Sequence, residues 1–443
     1  MQMSHDRGIS RTLIGELVVL MITAPPLYFH NLFPNWAPYV CIVLLSIGWI
    51  WRRVRMGRWW ANTPADWPVW LIFGILLPLA IAVAPAQLRE QYSLERAYIL
   101  VWNICLYFTV VTHASTRPSS LRILFIVLML AVATLTATAP LGINWAEKLP
   151  ALSSILVRIP RVDSVLGDMN GFNPNIIAGS LVIILPLFYA ISFGKIKDGW
   201  KQPTWWAVTI LAVTSTGLLI ASQSRASLLG LAVSLFVMSA LPFRRGRQVL
   251  IVSSIMLLAT AALWIGRVLA IFNGVDIINP GASSDVSTIA SRQEIWTRAI
   301  YAIQDFSFSG IGLGTFDGVI PLLYPFFTIP PGTPLGHAHN FFLQMALDFG
   351  IPGLIALLAI YLVALAQIRL LWSTPVPDRA NLPLLISWRT WAIGFIGCLI
   401  AQAIQGQFDA VAMGFKGNIF FWFQMALLFS TANLSQRYAQ GAF

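Results

Sequence analysis

Charge is what this sequence has least of. Asp, Glu, Lys and Arg make up 10% of its 443 residues, where a soluble domain carries about 25%. Hydrophobic residues make up 57% and the mean hydropathy is +0.74. A water-soluble fold cannot hide that much apolar surface, so composition excludes one and implies an all-α polytopic membrane protein. Acids are scarcer than bases, 17 against 28. The net charge of +11 does not imply nucleic acid, because the basic residues mostly sit in short connections between apolar runs, where they mark one side of a membrane. Cysteine is nearly absent. Cys41, Cys105 and Cys398 each fall inside an apolar run, which excludes a disulfide framework and leaves them as small packing residues. The chain has no Asp-x-Asp, the short acidic motif of metal-bound nucleotide-sugar sites. It shows no internal repeat and no low-complexity segment.

What is present is a series of apolar runs near the ~20 residues needed to cross a bilayer. They fall at about 12–29, 36–51, 67–84, 94–112, 121–139, 174–193, 204–222, 226–241, 248–270, 341–371, 386–406 and 417–434. This predicts about twelve spans in a single integral membrane domain over 1–443. Arg7 and Arg11 precede the first run, and no small-residue cleavage site follows Pro25-Pro26, so the run reads as an uncleaved helix. With the N-terminus in the cytoplasm, eighteen of the 28 basic residues fall on the cytoplasmic side, and every internal cytoplasmic connection carries at least two. Both termini are then cytoplasmic. Two long connections face outside, 140–173 between the fifth and sixth spans and 271–340 between the ninth and tenth.

The other ten basic residues are Arg89, Arg96, Lys148, Arg158, Arg161, Arg225, Arg267, Arg292, Arg298 and Lys416. They lie on or near the outer face, where such residues are disfavoured. As a group they read as an anion site, because guanidinium forks bind phosphate bidentately. Within the larger connection a helix is expected over about 287–304. Ile289, Trp296, Ala299, Ile300 and Ile303 form its apolar stripe. Arg292 falls inside that stripe and needs a partner, either an acid from elsewhere or a substrate phosphate. Arg298 falls on the polar face, four residues after Glu294, and can pair with it.

Five histidines are present. His5, His30 and His113 stand in a tail or at span ends and suggest no chemistry. His337 and His339 stand one residue apart where the long outer connection enters the tenth span, with Asn340 beside them. A neutral imidazole there suits proton abstraction near neutral pH. An ordinary polar helix cap and a His-x-His metal site are the competing readings, but Asp317 and Asp348 give no recognised ligand spacing. Ser222-Gln223-Ser224-Arg225-Ala226-Ser227 turns between the seventh and eighth spans. It offers no base for a serine nucleophile, whereas an arginine in so apolar a hairpin is a functional candidate.

These residues resemble the O-antigen ligase/polymerase superfamily. The resemblance runs from Gln223-Ser224-Arg225-Ala226 through Gly310-Ile311-Gly312-Leu313-Gly314-Thr315-Phe316 to His339-Asn340, followed by Gly350 and Gly353. It implies a GT-C-like membrane fold and a glycosyltransferase without metal or other cofactor. Its donor is a saccharide on undecaprenyl pyrophosphate and, in the ligase branch, its acceptor is a sugar hydroxyl of lipid A–core. The site faces the periplasm of a bacterial inner membrane. By motif, His339 is the expected base, and Arg225 and Arg292 are expected on the pyrophosphate. Arg158 and Arg161 join them on charge and topology alone, and His337 and Asn340 are supporting candidates. Polymerases and protein O-oligosaccharyltransferases share the motifs. A lipid-linked saccharide transporter is the alternative outside enzymes, but it would place charge near the midplane and show inverted repeats.

Overall fold

The computed structural model describes residues 2–143, 145, 173–194, 201–252, 254, 289–375, 386–411 and 418–441. Every element among them is helical. In chain order these are α1 (Gln2–Tyr28), α2 (Ala37–Met56), α3 (Asp66–Val83), α4 (Ala86–Ala114), α5 (Pro118–Gly142), α6 (Pro174–Val182), α7 (Leu185–Gly194), α8 (Pro203–Ala221), α9 (Arg225–Ala240), α10 (Ile289–Asp305), α11 (Phe316–Leu323), α12 (Phe341–Ser373), α13 (Trp388–Gln405) and α14 (Asn418–Ala439). Each expected apolar run coincides with a helix, except 248–270, most of which lies outside the described residues.

Among the described residues seven helices are long and apolar enough to cross a membrane, and up to eight if α6 and α7, bent by 42°, count as one span. The chain is therefore a multi-pass membrane protein; among the described residues, α9, α13 and α14 are expected runs that fall outside that count. The physical reason is visible in α13 and α14. Both lie inside the bundle, and they bury Gln402, Gln405, Asn418 and Gln424. A helix shielded from lipid can carry amides that a lipid-facing one cannot, and its mean hydropathy falls accordingly. The lipid-facing helices show the reverse. On α12, Ile351, Ile355, Leu358 and Leu362 are all exposed.

One buried polar knot ties the first helices together. Arg52 Nε donates to both Glu16 carboxylate oxygens at 2.9 and 3.0 Å, and Arg52 Nη2 reaches Glu16 and Thr109. His113 Nε2 lies 3.3 Å from the same carboxylate. Arg52, expected among the cytoplasmic connections, is thus fully buried, because Glu16 on α1 provides the ionic partner that an arginine inside a membrane requires.

The two ends of the bundle differ. His30 pairs with Glu95 at 3.6 Å and Arg96 reaches Gly336 O at 3.4 Å, which gathers the ends of α1 and α4 at the histidine connection. At the other end, Arg437 Nη1 donates to Ser115 O and Thr116 O at 3.2 and 3.3 Å. Arg53 and Arg55 in the last turn of α2 and Arg58 just after it stand at that end too.

α12 is two helices joined at Gly350, whose φ of 71° and ψ of −178° lie in a region open essentially to glycine alone. A Cβ there would stand 2.2 Å from Phe308 O. This break lets residues 341–349 lie buried under the outer connection while the rest of α12 faces lipid. Gly350→Ala should lower stability by at least ~2 kcal/mol, from the backbone strain and the clash together. Thermal unfolding of the purified protein in detergent checks this, and an unchanged melting temperature would contradict it.

Candidate active site

The site is built on a turn held by its backbone. Ala338, between the two histidines, is completely buried. Its N–H donates to Gln344 Oε1 at 2.8 Å, and Gln344 Nε2 donates to Asp348 Oδ1 at 2.8 Å. The same Asp348 oxygen accepts from Gly314 N at 2.9 Å, where a Cβ would collide with the Arg96 side chain. Ala338 O accepts from Trp296 Nε1 of α10 at 3.1 Å. Leu335 N donates to Asp317 Oδ1 at 2.8 Å. Asn340 caps α12, its Oδ1 accepting from Phe342 N and Leu343 N at 3.0 Å each, so the helix-cap reading of this stretch holds for Asn340.

His339 has φ of 48°, a left-handed conformation that costs a residue with a Cβ about 1–2 kcal/mol. It turns the ring back onto His337. The two ring centroids are 4.4 Å apart, a juxtaposition that neither helix nor strand spacing produces. His337 Nδ1 accepts from His339 N–H at 3.0 Å, so the proton of neutral His337 sits on Nε2. That nitrogen faces Asp409 Oδ1 at 3.4 Å. Both His337 nitrogens are therefore engaged, whereas His339 Nδ1 is buried and has no hydrogen-bond partner among the described residues.

Asp409 comes from the turn after α13. Phe341 N donates to Gly406 O at 2.7 Å, and Asn340 Nδ2 donates to Gln407 O at 3.2 Å, which clamps that turn onto the histidines. Burial, together with the Arg96 and Arg292 guanidiniums, holds the His337 imidazole down to about 4. Burial, then His337 and Arg292, also hold His339 below the usual imidazole range, with Asp409 opposing. Burial pushes the Asp409 carboxyl up, against His339, the Ala410 N–H and Arg292. Arg292 Nε is buried without a hydrogen-bond partner among the described residues, and its charge acts on both histidines and on Asp409. One ligand atom each from His337, His339 and Asp409 lies within 4.8 Å of the others, close enough to hold a metal ion. A cation there would meet the field of Arg292 and Arg96, and His337 Nδ1 already accepts a hydrogen bond. The site suits an anion better.

The family model described as O-antigen ligase matches residues 210–358, a third of the chain. That stretch holds Arg225, Arg292, the glycine turn at 310–314 and the pinned histidines. The match supports a member of the O-antigen ligase/polymerase superfamily. No curated protein matches it.

Two contributors to this superfamily site lie outside the matched stretch, Arg96 on α4 and Asp409 after α13. Sequence reading noted Arg96 as an outer-face cation but missed Asp409. A lone Asp in an apolar surround was the available signal, but its spacing from the histidines gave no reason to group them. Asp409 lies near enough for its charge to act on Arg292, while Arg292 Nε has no hydrogen-bond partner among the described residues. Arg298 does pair with Glu294, at 3.9 Å, but it is buried rather than on a solvent face. Glu294 accepts from Phe327 N and Thr328 N, and this strap lays the Phe327 ring 4.9 Å from the Arg298 guanidinium.

Arg225 begins α9 and is exposed. A Cβ on Gly230 would stand 2.7 Å from Ala401 O, and one on Gly397 would stand 2.3 Å from Met238 Sδ. α9 and α13 thus run antiparallel. Arg225, five residues before Gly230, is level with Gly406, five after Ala401. The structure brings Arg225 to the histidine end of the bundle, without a hydrogen bond or ion pair among the described residues. Arg158 and Arg161 lie outside the described residues.

A histidine whose folded pKa is depressed stays neutral until the pH falls well below the model-compound value of 6.5. The acid limb of kcat/KM should therefore lie below pH 6.5, and a limb at or above 6.5 would contradict a buried neutral base.

Proposed function

We propose that the chain is an O-antigen ligase. It transfers a saccharide from undecaprenyl pyrophosphate to a sugar hydroxyl of lipid A–core, without a metal and with inversion, at the periplasmic face of a bacterial inner membrane. What carries the reading is a His339 nitrogen and an Arg292 Nε that both lack hydrogen-bond partners among the described residues, in one electrostatic field, at the end of the bundle where Arg225 also stands. About twelve spans, a GT-C-like arrangement and cytoplasmic termini belong to the same proposal. The basic residues at the opposite end of the helices support that orientation.

The step balances within the site. His339 takes the proton of the acceptor hydroxyl as that oxygen attacks the anomeric carbon. The carbon–oxygen bond to the pyrophosphate breaks, and the electron pair leaves on the phosphate oxygen. Arg292 and Arg225, with Arg158 and Arg161 from the 140–173 connection, neutralise the charge that develops there, a role otherwise filled by a divalent ion. His337, donating from Nε2 towards Asp409, holds the His339 backbone in place. Asp409 steadies the imidazolium that forms. Asn340 fixes the start of α12 beneath the base.

The reading predicts that His339→Ala lowers transfer by about 10²–10⁴-fold in protein that still folds. His337→Ala should cost less, because its Nδ1 accepts from a backbone N–H rather than meeting substrate. Normal transfer by His339→Ala together with loss in His337→Ala would exchange the two roles. Arg292→Ala and Arg225→Ala should weaken donor use, and lysine should restore it poorly, since it lacks the bidentate fork. Chelation by EDTA should leave the rate unchanged, and inhibition reversed by a divalent cation would instead favour the metal reading of the His337, His339 and Asp409 triad.

The matched region is shared with polymerases, so the acceptor decides between branches. Purified protein given a lipid-linked donor should transfer to lipid A–core. Transfer only to a second lipid-linked repeat would make it a polymerase, and transfer only to a Ser/Thr peptide would make it a protein oligosaccharyltransferase. Product formed in detergent micelles, where no membrane separates two compartments, excludes a transporter.

A further inference from the structure

A second polar cavity opens at the opposite end of the bundle, and the site chemistry makes no use of it. Its volume is about 550 Å³, within the range of about 300–1,000 Å³ typical of ligand pockets. Arg58, Asn62, Asn433, Gln436, Arg437 and Gln440 line it, with Trp60 and Ser115. None of the lining residues is acidic. Asp66, nearby in sequence, is occupied by Thr63 Oγ1 at 2.6 Å and Trp60 Nε1 at 3.1 Å. The walls come from the connection after α2, the end of α4 and the end of α14. Two contacts set their spacing: Asn433 Nδ2 donates to Asn62 O at 3.1 Å, and Arg437 Nη1 is anchored on Ser115 O and Thr116 O. The lining is built largely of donors and carries two guanidiniums.

Its depth is fixed by α4. Ser115 lies nineteen residues from Arg96 along that helix, about 29 Å at 1.5 Å per residue. A bilayer core is about 30 Å thick, so with the histidines at one membrane surface the cavity stands at the other. The residues around it mark the same plane. Trp59 is 44% exposed and Trp67 56% exposed, as expected of aromatic rings at headgroup level. Arg53, Arg55 and Arg58 are exposed beside them. A basic recess between helix ends at that level is suited to anionic lipid headgroups.

We propose that this cavity binds the phosphodiester headgroup of an anionic phospholipid from the leaflet opposite the transfer site. Arg58 and Arg437 meet the phosphate, and the amides of Asn62, Asn433, Gln436 and Gln440 meet the glycerol hydroxyls. The lipid then bridges the ends of α4 and α14. The inference depends on the membrane topology and not on the transferase reading, so binding tests it whether or not transfer occurs.

The test is thermal unfolding of the purified full chain in detergent, with native mass spectrometry to count retained lipid. Phosphatidylglycerol should raise the melting temperature and remain bound, whereas phosphatidylcholine and inorganic phosphate at equal concentration should do neither. Arg58→Ala and Gln436→Glu both alter exposed side chains, and each should weaken the apparent affinity about fivefold. Gln436→Glu keeps the side chain's size, so it reports charge even where Arg58→Ala disturbs the fold. Equal responses to the two lipids, or unchanged affinity in both variants, overturn the proposal. A shift reproduced by inorganic phosphate alone also overturns it, in favour of a soluble phosphate ligand.

Discussion

The backbone of residues 335–340 is the constraint on which the rest of the site depends. It carries a non-glycine residue in the left-handed region, and such a residue persists only where its surroundings over-determine it. Here four separate elements do so. α10 holds Ala338 O through Trp296, α11 holds Leu335 N through Asp317, α12 holds Ala338 N through Gln344, and the turn after α13 holds Asn340 and Phe341. The sequence calls this stretch a loop, yet four elements brace it. That rigidity is what a general base needs, because its lone pair must already point at the hydroxyl it will deprotonate.

The same bracing sets the charge state. The histidines are half-buried beside Arg96 and Arg292, and both effects disfavour imidazolium. Asp409 opposes them from the other side. On the proposed reading the result is a base kept neutral where a pyrophosphate would be attracted, so that one positive field would draw the donor in and keep His339 unprotonated until the acceptor hydroxyl arrives. Once the proton had moved, the departing pyrophosphate and Asp409 would be the anions left to face the new imidazolium.

Much of this was legible in the sequence because it rests on periodicity and composition. Apolar runs located the helices outside the 271–340 connection, a helical stripe located α10, and α11 had no such signal. Arg292 stood out because a guanidinium on an apolar stripe demands explanation. Two things were hidden for physical reasons. The histidine pair depends on a single positive φ at His339, which no side-chain pattern encodes. The burial of Arg298 depends on a strap of residues 326–328 arriving from elsewhere, so the local wheel placed it on a face that the fold then covered.

Long-range partners were hidden for the same reason. Asp409 lies seventy residues beyond His339, and its approach requires α13 to run back along α12 and deliver its C-terminal turn to the N-terminus of that helix. Glu16 meets Arg52 across another such return. In both cases a lone acid stands in an apolar stretch, a costly placement that signals a partner without identifying it. A buried acid in a membrane helix bundle is therefore best treated as one half of a pair. Its other half is to be sought among the basic residues that the positive-inside count leaves unexplained or places at a span end, and here that rule leads from Glu16 to Arg52, while Asp409 faces His337 within the field of Arg292.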